Sequence, residues 1–173
     1  MKTILSTLAA GALLAGCATF GEAPGPRAVA NLASTKGNSA SGTVTFEQQG
    51  GKVRVSGTVT GLKPGAEHGF HVHEKGDCSS GDGMSAGGHF NPLGKGHGHM
   101  SGVGKHAGDL PNLRADAYGV ATFSVETEGI TVDSGVTGIL GKGLIVHRDP
   151  DDYKSQPVGN AGPRLACAVI AKG

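Results

Sequence analysis

The residues that are scarce in this sequence already exclude several classes of protein. It contains no tryptophan, and aromatic residues make up only 4% of its 173 residues. A core of this composition must rely on valine, leucine and isoleucine, and the 32 glycines indicate many turns. Basic runs are absent and the formal net charge is only +1, which argues against a nucleic-acid-binding protein. Beyond the N-terminal apolar run, no second run is long enough to span a membrane.

The N-terminal segment has the features of an export signal. Lys2 precedes an apolar run that ends at Cys17, too short for a membrane span. We predict that residues 1–16 form a signal peptide and that residues 17–28, rich in glycine and proline, form a flexible tether. Leu14-Ala-Gly-Cys17 resembles a bacterial lipobox, which predicts a lipidated Cys17 and a periplasmic protein, anchored to the outer membrane because Ala18 follows. Cleavage of an ordinary signal peptide near Cys17 is the alternative.

Short stretches of alternating apolar and polar residues fill the remaining domain, predicted over residues 29–173. We predict strands at Arg27–Ser34, Ser41–Gln48, Lys52–Thr60, Glu67–Glu74, Asn112–Asp116, Val120–Glu126, Gly143–His147 and Arg164–Ala171. No stretch has a periodicity that predicts a helix. Eight short strands with two long excursions predict an all-β fold, an eight-stranded Greek-key barrel or sandwich of immunoglobulin-like type.

Seven of the eight histidines lie between residues 68 and 109, where they suggest metal binding. His71 and His73 belong to a predicted strand and therefore share one face, which we expect to point outward. Two ordinary surface histidines are the alternative.

A glycine-rich stretch without periodicity follows, typical of a long functional loop. It carries three histidines and a carboxylate, a set that suits a tetrahedral zinc site: His89, His97, His106 and Asp109. A flexible tract that binds metals loosely is the alternative here.

Five sequence blocks resemble the copper–zinc superoxide dismutases. The blocks are Phe70-His-Val-His-Glu, Gly87-Gly-His-Phe-Asn-Pro, His106-Ala-Gly-Asp-Leu, Gly143-Leu-Ile-Val-His147 and Gly159-Asn-Ala-Gly-Pro-Arg164-Leu-Ala-Cys167. They occur in the family's order, and the resemblance extends from about Val29 to Gly173. It implies a Greek-key fold, copper and zinc as cofactors, and an enzyme that converts superoxide to dioxygen and hydrogen peroxide.

The resemblance also implies which residues bind each metal. The implied copper ligands are His71, His73, His89 and His147, and the implied zinc ligands are His89, His97, His106 and Asp109. His89 belongs to both sets because the family uses one bridging imidazolate, which also takes up a proton during catalysis. Without the resemblance, His147 would be interpreted as a structural residue at a strand end.

Three further roles are implied by the resemblance. Asp151, in preference to Asp152, would accept hydrogen bonds from one copper and one zinc histidine. Arg164 would attract and orient the superoxide anion above the copper. Cys78 would form a disulfide with Cys167. If Cys17 carries lipid, all three cysteines of the sequence are then accounted for.

Two other classes of protein can be weighed against this interpretation. A metallo-β-lactamase also begins with two histidines at this spacing, but Lys75 and Gly76 stand where its next ligands should be. A non-catalytic periplasmic copper/zinc-binding protein would keep the histidines without needing Arg164.

We expect His68 to be a strand-end surface residue, and His99 is a possible competitor for zinc. Contact with the membrane is predicted only through the lipid anchor, and both a monomer and a homodimer remain open.

Overall fold

Ten antiparallel strands and one short 3₁₀ turn make up the regular structure of residues 25–102 and 104–173, which the computed structural model describes. The strands are β1 (Arg27–Ser34), β2 (Ser41–Gln49), β3 (Lys52–Thr60), β4 (Glu67–His68), β5 (Phe70–His73), β6 (Leu113–Arg114), β7 (Ala121–Thr127), β8 (Gly143–His147), β9 (Arg164–Val169) and β10 (Ala171–Lys172). The 3₁₀ turn spans Met84–Ala86. Within these ranges no helix is long and apolar enough to cross a membrane. The predicted signal peptide and the predicted lipidation site Cys17 lie outside the described residues.

Eight of the strands belong to one curled sheet, in which adjacent strands are often distant from each other in sequence. Its order is β5-β8-β9-β1-β2-β3-β7, and β10 lies alongside β1. The remaining two strands, β4 and β6, pair with each other. Strand β1 joins the two halves of the sheet, because Arg27 to Leu32 pair with β2 whereas Ala33 and Ser34 pair with β9. The predicted all-β class is therefore confirmed.

Alternation of side chains places the main core on one face of the sheet. In β2 the buried residues are Val44 and Phe46, and in β3 they include Val53 and Val55, each separated by one more exposed residue. These side chains pack with those of β5 and β8, including Phe70, in a cluster made mostly of aliphatic residues. Because aromatic residues are scarce, the core consists mainly of valine, leucine, isoleucine and alanine.

The strand predicted at Glu67–Glu74 is interrupted in the structure at Gly69. The N–H of Gly69 donates to the carbonyl of Asp149, and its carbonyl accepts from the N–H of His147, both at 2.8 Å. A Cβ at this position would lie 2.7 Å from the Cβ of Ala161, so the close approach requires glycine. Because the segment changes partner here, from β6 to β8, one predicted strand becomes two.

The outer face of β5 and β8, and of β9 at Cys167, is also buried, because two loops cover it. Loop A (residues 74–112) and loop B (residues 148–163) supply this cover. All five residues of β8 are consequently buried. A second, smaller apolar cluster of Ala86, Ile145 and Cys167 lies on this outer side. The predicted metal-binding residues lie under the same cover.

Candidate metal centre

The structure brings together every residue of the two predicted ligand sets. In each set the candidate ligand atoms lie within 4.8 Å of one another, and all seven side chains are buried. The copper-type group comprises His71, His73, His89 and His147, and the zinc-type group comprises His89, His97, His106 and Asp109. Since His89 belongs to both groups, the two candidate sites are adjacent.

Backbone pairing to β5 explains how residues from distant segments meet. Strand β5 provides His71 and His73, and antiparallel β8 ends beside it at His147. Loop A adds two single-residue bridges to the same strand, one pairing His73 with His89 and the other pairing His71 with Asp109. The long loop is therefore fixed to β5 at the residues that carry candidate ligands.

His71 and His73 point away from the apolar core, as predicted, and the alternative of two ordinary surface histidines is wrong. They share the face opposite Phe70 and Val72, as the alternation predicted, but both histidines are 0% exposed. Loops A and B cover this face, and a strand pattern cannot reveal a cover formed by residues far away in sequence.

Hydrogen bonds fix the orientation of two rings in the copper-type group. His73 Nδ1 lies 2.9 Å from the carbonyl oxygen of Gly87, and His147 Nδ1 lies 3.1 Å from that of Gly162. A carbonyl only accepts, so each Nδ1 carries the proton and each Nε2 keeps a lone pair. The two Nε2 atoms lie 3.4 Å apart. Two lone pairs at this distance repel each other unless a cation lies between them.

The other two histidines of this group also direct a free nitrogen inward. His71 Nε2 donates to Asp151 Oδ2 at 2.8 Å, which leaves His71 Nδ1 as the lone-pair nitrogen. Among the described residues, neither His71 Nδ1 nor His89 Nε2 has a hydrogen-bond partner, although both are buried. Buried polar atoms normally have a hydrogen-bond partner, so these two nitrogens indicate a position for an ion or a water. Four convergent imidazole nitrogens suit copper.

The zinc-type group is arranged around one carboxylate oxygen. Asp109 Oδ1 lies 2.9 Å from His89 Nδ1, 3.1 Å from His97 Nδ1 and 3.3 Å from His106 Nδ1. Ligands about 2.0–2.1 Å from a tetrahedral zinc ion would lie about 3.3 Å from one another. Asp109 Oδ2 accepts the backbone N–H groups of Gly98 and His106, which orients Oδ1 toward the three rings. The donor set and its dimensions therefore fit zinc.

Burial favours the neutral form of His71, His73 and His147, the form in which imidazole binds metals. Desolvation lowers the pKa of His71 to about 4, against a partial opposing effect of Asp151. Burial, together with neighbouring histidines, also holds the pKa of His73 and of His147 well below the ordinary value.

The zinc-type group instead attracts positive charge. Burial would lower the pKa of His97, but hydrogen bonds to Asp109 and Asp151 outweigh it and raise this pKa to about 9. Burial would likewise raise the pKa of Asp109, but hydrogen bonds from His89 and His97 hold it well below its usual range. A carboxylate that remains charged at the centre of three rings calls for a cation.

Asp151 links the two groups from behind the rings. Its Oδ2 accepts from His71 Nε2 and its Oδ1 from His97 Nε2, both at 2.8 Å. The side-chain amide of Asn112 holds the backbone of Asp151 on both sides, accepting its N–H at 2.9 Å and donating to its carbonyl at 3.0 Å. Asp152, the less favoured candidate, bonds to Ser155 and Asn160 in its own loop instead.

Arg164 lies beside the copper-type group. It is the first residue of β9 and pairs with His147 of β8. Its guanidinium donates to the carbonyls of Gly83 and Gly87, and the same Gly87 carbonyl accepts from His73 Nδ1. The half-buried cation is therefore tied to the segment that orients a candidate copper ligand.

A disulfide attaches loop A to the sheet. Cys78 and Cys167 are bonded, with their Cα atoms 5.9 Å apart and a separation of 89 positions in sequence. Cys167 lies in β9 and packs with Ala86 and Ile145 on the outer face. The bond thus joins the strand that begins at Arg164 to the segment that leads to His89.

Two further histidines lie outside the metal-type groups. The prediction that His68 is a surface residue is wrong, since it is only 1% exposed and its Nδ1 lies 2.9 Å from the carbonyl oxygen of His147. His99 is exposed, with Nδ1 2.8 Å from Ser101 Oγ, and it belongs to neither group. Sequence reasoning also missed Asn112 and the loop-B residue Gln156, whose contacts with the site come from distant segments without any local motif.

Comparison with known proteins agrees with this geometry. The family model described as copper/zinc superoxide dismutase (SODC) matches residues 40–170. A protein of Aquifex aeolicus named superoxide dismutase [Cu-Zn] 2 is 41% identical over 170 residues, covering 96% of this chain and 98% of that protein. Another of the same name, from Brassica juncea, is 46% identical over 151 residues, covering 83% and 96% respectively.

A solved structure has the same fold. The crystal structure reported for the clock protein EA4 superposes with a TM-score of 0.79 at 43% sequence identity, covering 88% of this chain and 98% of that one. The predicted resemblance is thereby confirmed, and the chain belongs to the copper/zinc superoxide dismutase family.

Proposed function

We propose that this protein converts superoxide to dioxygen and hydrogen peroxide at the copper-type group. The observation that carries the proposal is the convergence of four imidazole nitrogens beside a half-buried arginine, in a member of this family. His71, His73, His89 and His147 would hold copper, and His89, His97, His106 and Asp109 would hold zinc. Copper bound there supplies one-electron chemistry between Cu(II) and Cu(I), whereas zinc has no redox chemistry.

The protein's own part in the reaction begins with fixed ring orientations. The carbonyls of Gly87 and Gly162 keep His73 Nε2 and His147 Nε2 available, and Asp151 does the same for His71 Nδ1. Because these partners are part of the folded backbone or are themselves held, the rings need no rearrangement as the reaction proceeds. Preorganisation of this kind is a principal source of catalytic power.

His89 is the residue suited to move a proton. Its Nδ1 lies on the zinc side, 2.9 Å from Asp109 Oδ1, while its Nε2 faces the copper-type group without any partner among the described residues. Nε2 can therefore hold a proton close to the reacting anion while the ring stays fixed through Nδ1. A second proton can come from solvent.

Arg164 would bind and orient the anion. Its guanidinium is permanently charged, and one of its two carbonyl partners, Gly87, also accepts from the candidate copper ligand His73. The formal charge of the whole chain is only +1, so attraction of superoxide must depend on local cations such as this one.

Metal analysis together with a superoxide consumption assay tests the proposal. The protein loaded with both metals should contain one copper and one zinc per chain and should consume superoxide catalytically. His89→Ala should abolish most of the activity while each remaining three-residue group still binds some metal. Zinc alone after copper loading, or two bound metals without activity, would favour a non-catalytic metal-binding protein.

We further propose that the protein is exported and held at the outer membrane by a lipid on Cys17. The apolar run that ends in Leu14-Ala-Gly-Cys17 supports this, as does the Cys78–Cys167 disulfide, which suits an oxidising compartment. The Aquifex aeolicus relative aligns with 96% of the chain, so its similarity continues into the first 24 residues. In bacterial fractionation, Cys17→Ser should leave the membrane fraction. A wild-type protein found wholly soluble, with its N-terminus beyond residue 17, would refute the anchor.

A further inference from the structure

Loop B contacts the zinc-type group through a second residue besides Asp151. The side-chain amide of Gln156 pairs with both backbone groups of His97: Oε1 accepts the N–H at 2.8 Å, and Nε2 donates to the carbonyl at 2.9 Å. A pair of bonds in this arrangement reproduces one step of a β-ladder. Both bonds are partly buried, although much of Gln156 is exposed.

His97 needs such a restraint more than the other residues of its group. It lies outside every strand and between Gly96 and Gly98, so its flanking backbone has unusual conformational freedom. Within the described ranges, no backbone group bonds to the N–H or the carbonyl of His97, and Gln156 occupies both.

The backbones of the other members of the group are held by β5 or by loop A itself. His89 forms a bridge with His73 and Asp109 forms one with His71, both on strand β5. His106 is held through its own N–H, which donates to Asp109 Oδ2, and through its carbonyl, which accepts from the N–H of Asp109. His97 alone in this group depends on a side chain from another loop for its backbone position.

We propose that Gln156 is a positioning residue for zinc. It holds the main chain of His97 so that Nδ1 meets Asp109 while Nε2 meets Asp151. The inference rests on the proposed assignment of zinc to this group. Asp151 bonds to the ring of His97 and Gln156 bonds to its backbone. Zinc binding and the order of loop B should therefore depend on each other.

The test measures the rate at which zinc leaves the copper- and zinc-loaded protein in the presence of a chelator. Partners that orient a metal ligand typically contribute tenfold to a hundredfold in metal affinity, so Gln156→Ala should release zinc about tenfold faster. Copper retention should change less than zinc retention, since Gln156 bonds to the backbone of His97, which is not a member of the copper-type group. With Co²⁺ in place of zinc, the same variant should show an altered visible absorption spectrum.

Two companion variants separate positioning from a general loss of stability. Gln156→Glu is a nearly isosteric change. It keeps the acceptor for the His97 N–H but places an oxygen opposite the His97 carbonyl, so zinc should again leave faster. Gln48→Ala is the matched control. Its amide also bonds to backbone, donating to the carbonyls of Gly50 and Lys52 and accepting from the N–H of Val132, but it lies on β2, away from both metal-type groups.

The outcomes are distinct. Faster zinc release in both Gln156 variants, with Gln48→Ala at the wild-type rate, supports the inference. Wild-type release in Gln156→Glu, or an equal acceleration in Gln48→Ala, overturns it while leaving the proposed function intact. A wild-type protein that binds no zinc would instead refute the assignment of zinc to this group, and with it the proposed function.

Discussion

Replacing Asp151 should weaken both metal-type groups at once, and the structure sets the size of the effect. The side chain of Asp151 is 0% exposed, and its carboxylate accepts from one histidine of each group, His71 Nε2 and His97 Nε2, at 2.8 Å. It also accepts the N–H of Tyr153 at 2.7 Å. In Asp151→Ala two buried ring N–H groups lose their acceptor, and both rings lose the partner that fixes which nitrogen carries the proton.

The magnitude follows from the two ring contacts. A hydrogen bond to a charged group contributes roughly 1.5 kcal/mol or more, so losing two should cost about 3 kcal/mol in the free energy of unfolding. Loss of a partner that orients a metal ligand typically lowers metal affinity by about tenfold to a hundredfold. A hundredfold change corresponds to about 2.7 kcal/mol in the free energy of metal binding. Zinc should respond more than copper, because copper keeps two rings that are oriented by carbonyls instead.

Competition with a chromophoric zinc chelator measures this effect. Asp149→Ala is the matched control, since Asp149 lies in the same loop but pairs with Arg148 at the surface. We expect the control to bind zinc like the wild type, and Asp151→Asn to fall between the control and Asp151→Ala. An Asp151→Ala protein that retained wild-type zinc affinity would refute the argument that this carboxylate orients both rings.

The remaining predictions concern the anion, the disulfide and pH. Arg164→Ala should slow superoxide consumption roughly tenfold or more and flatten its dependence on salt, with Arg164→Lys intermediate and copper content unchanged; equal rates at low salt would contradict this. Replacing Cys78 and Cys167 by serine should lower the free energy of unfolding by about 4 kcal/mol, because an 89-residue loop is no longer closed; an unchanged denaturant midpoint would contradict it. Metal-free protein should lose stability as the pH falls from about 6.5 to about 4, because an unfolded histidine protonates near 6.5 whereas burial lowers the pKa of folded His71 to about 4. Denaturation midpoints that stay constant over this range would refute the pH argument.

Much of the sheet could be predicted because its signal is local. Strands β1, β3 and β8 have the predicted bounds; the first two show alternation of apolar and polar residues, and β8 is a short apolar run that ends at His147. The break at Gly69 could not be predicted in this way. It arises where the strand exchanges one partner for another, and the residues that cause it, Asp149 and Ala161, lie about 80 or more positions away.

The zinc-type set was suggested by its residue types within one loop, but the membership of the copper-type group could be predicted only because short blocks resembled a known family. From spacing alone, His71 and His73 form a plausible pair, but nothing local associates them with His147. The residues that orient the rings have no motif at all. Asn112 and Gln156 act through side-chain amides on the backbone of another loop, and such contacts exist only after the sheet has brought the loops together.

The burial of His71 and His73 has a physical lesson for folds of this type. The alternation identified their face correctly, but it did not show that other segments cover this face. Here the polar face is enclosed by loops rich in glycine, which have few apolar side chains to stabilise their position. The loops are held instead by the Cys78–Cys167 bond, by bridges to β5 and by hydrogen bonds to the histidines themselves. Buried nitrogens without hydrogen-bond partners lower the stability of the folded, metal-free protein. Metal binding gives these nitrogens a partner and should therefore raise the free energy of unfolding. The residues that would carry out the chemistry are therefore the same residues that keep the loops closed over the sheet.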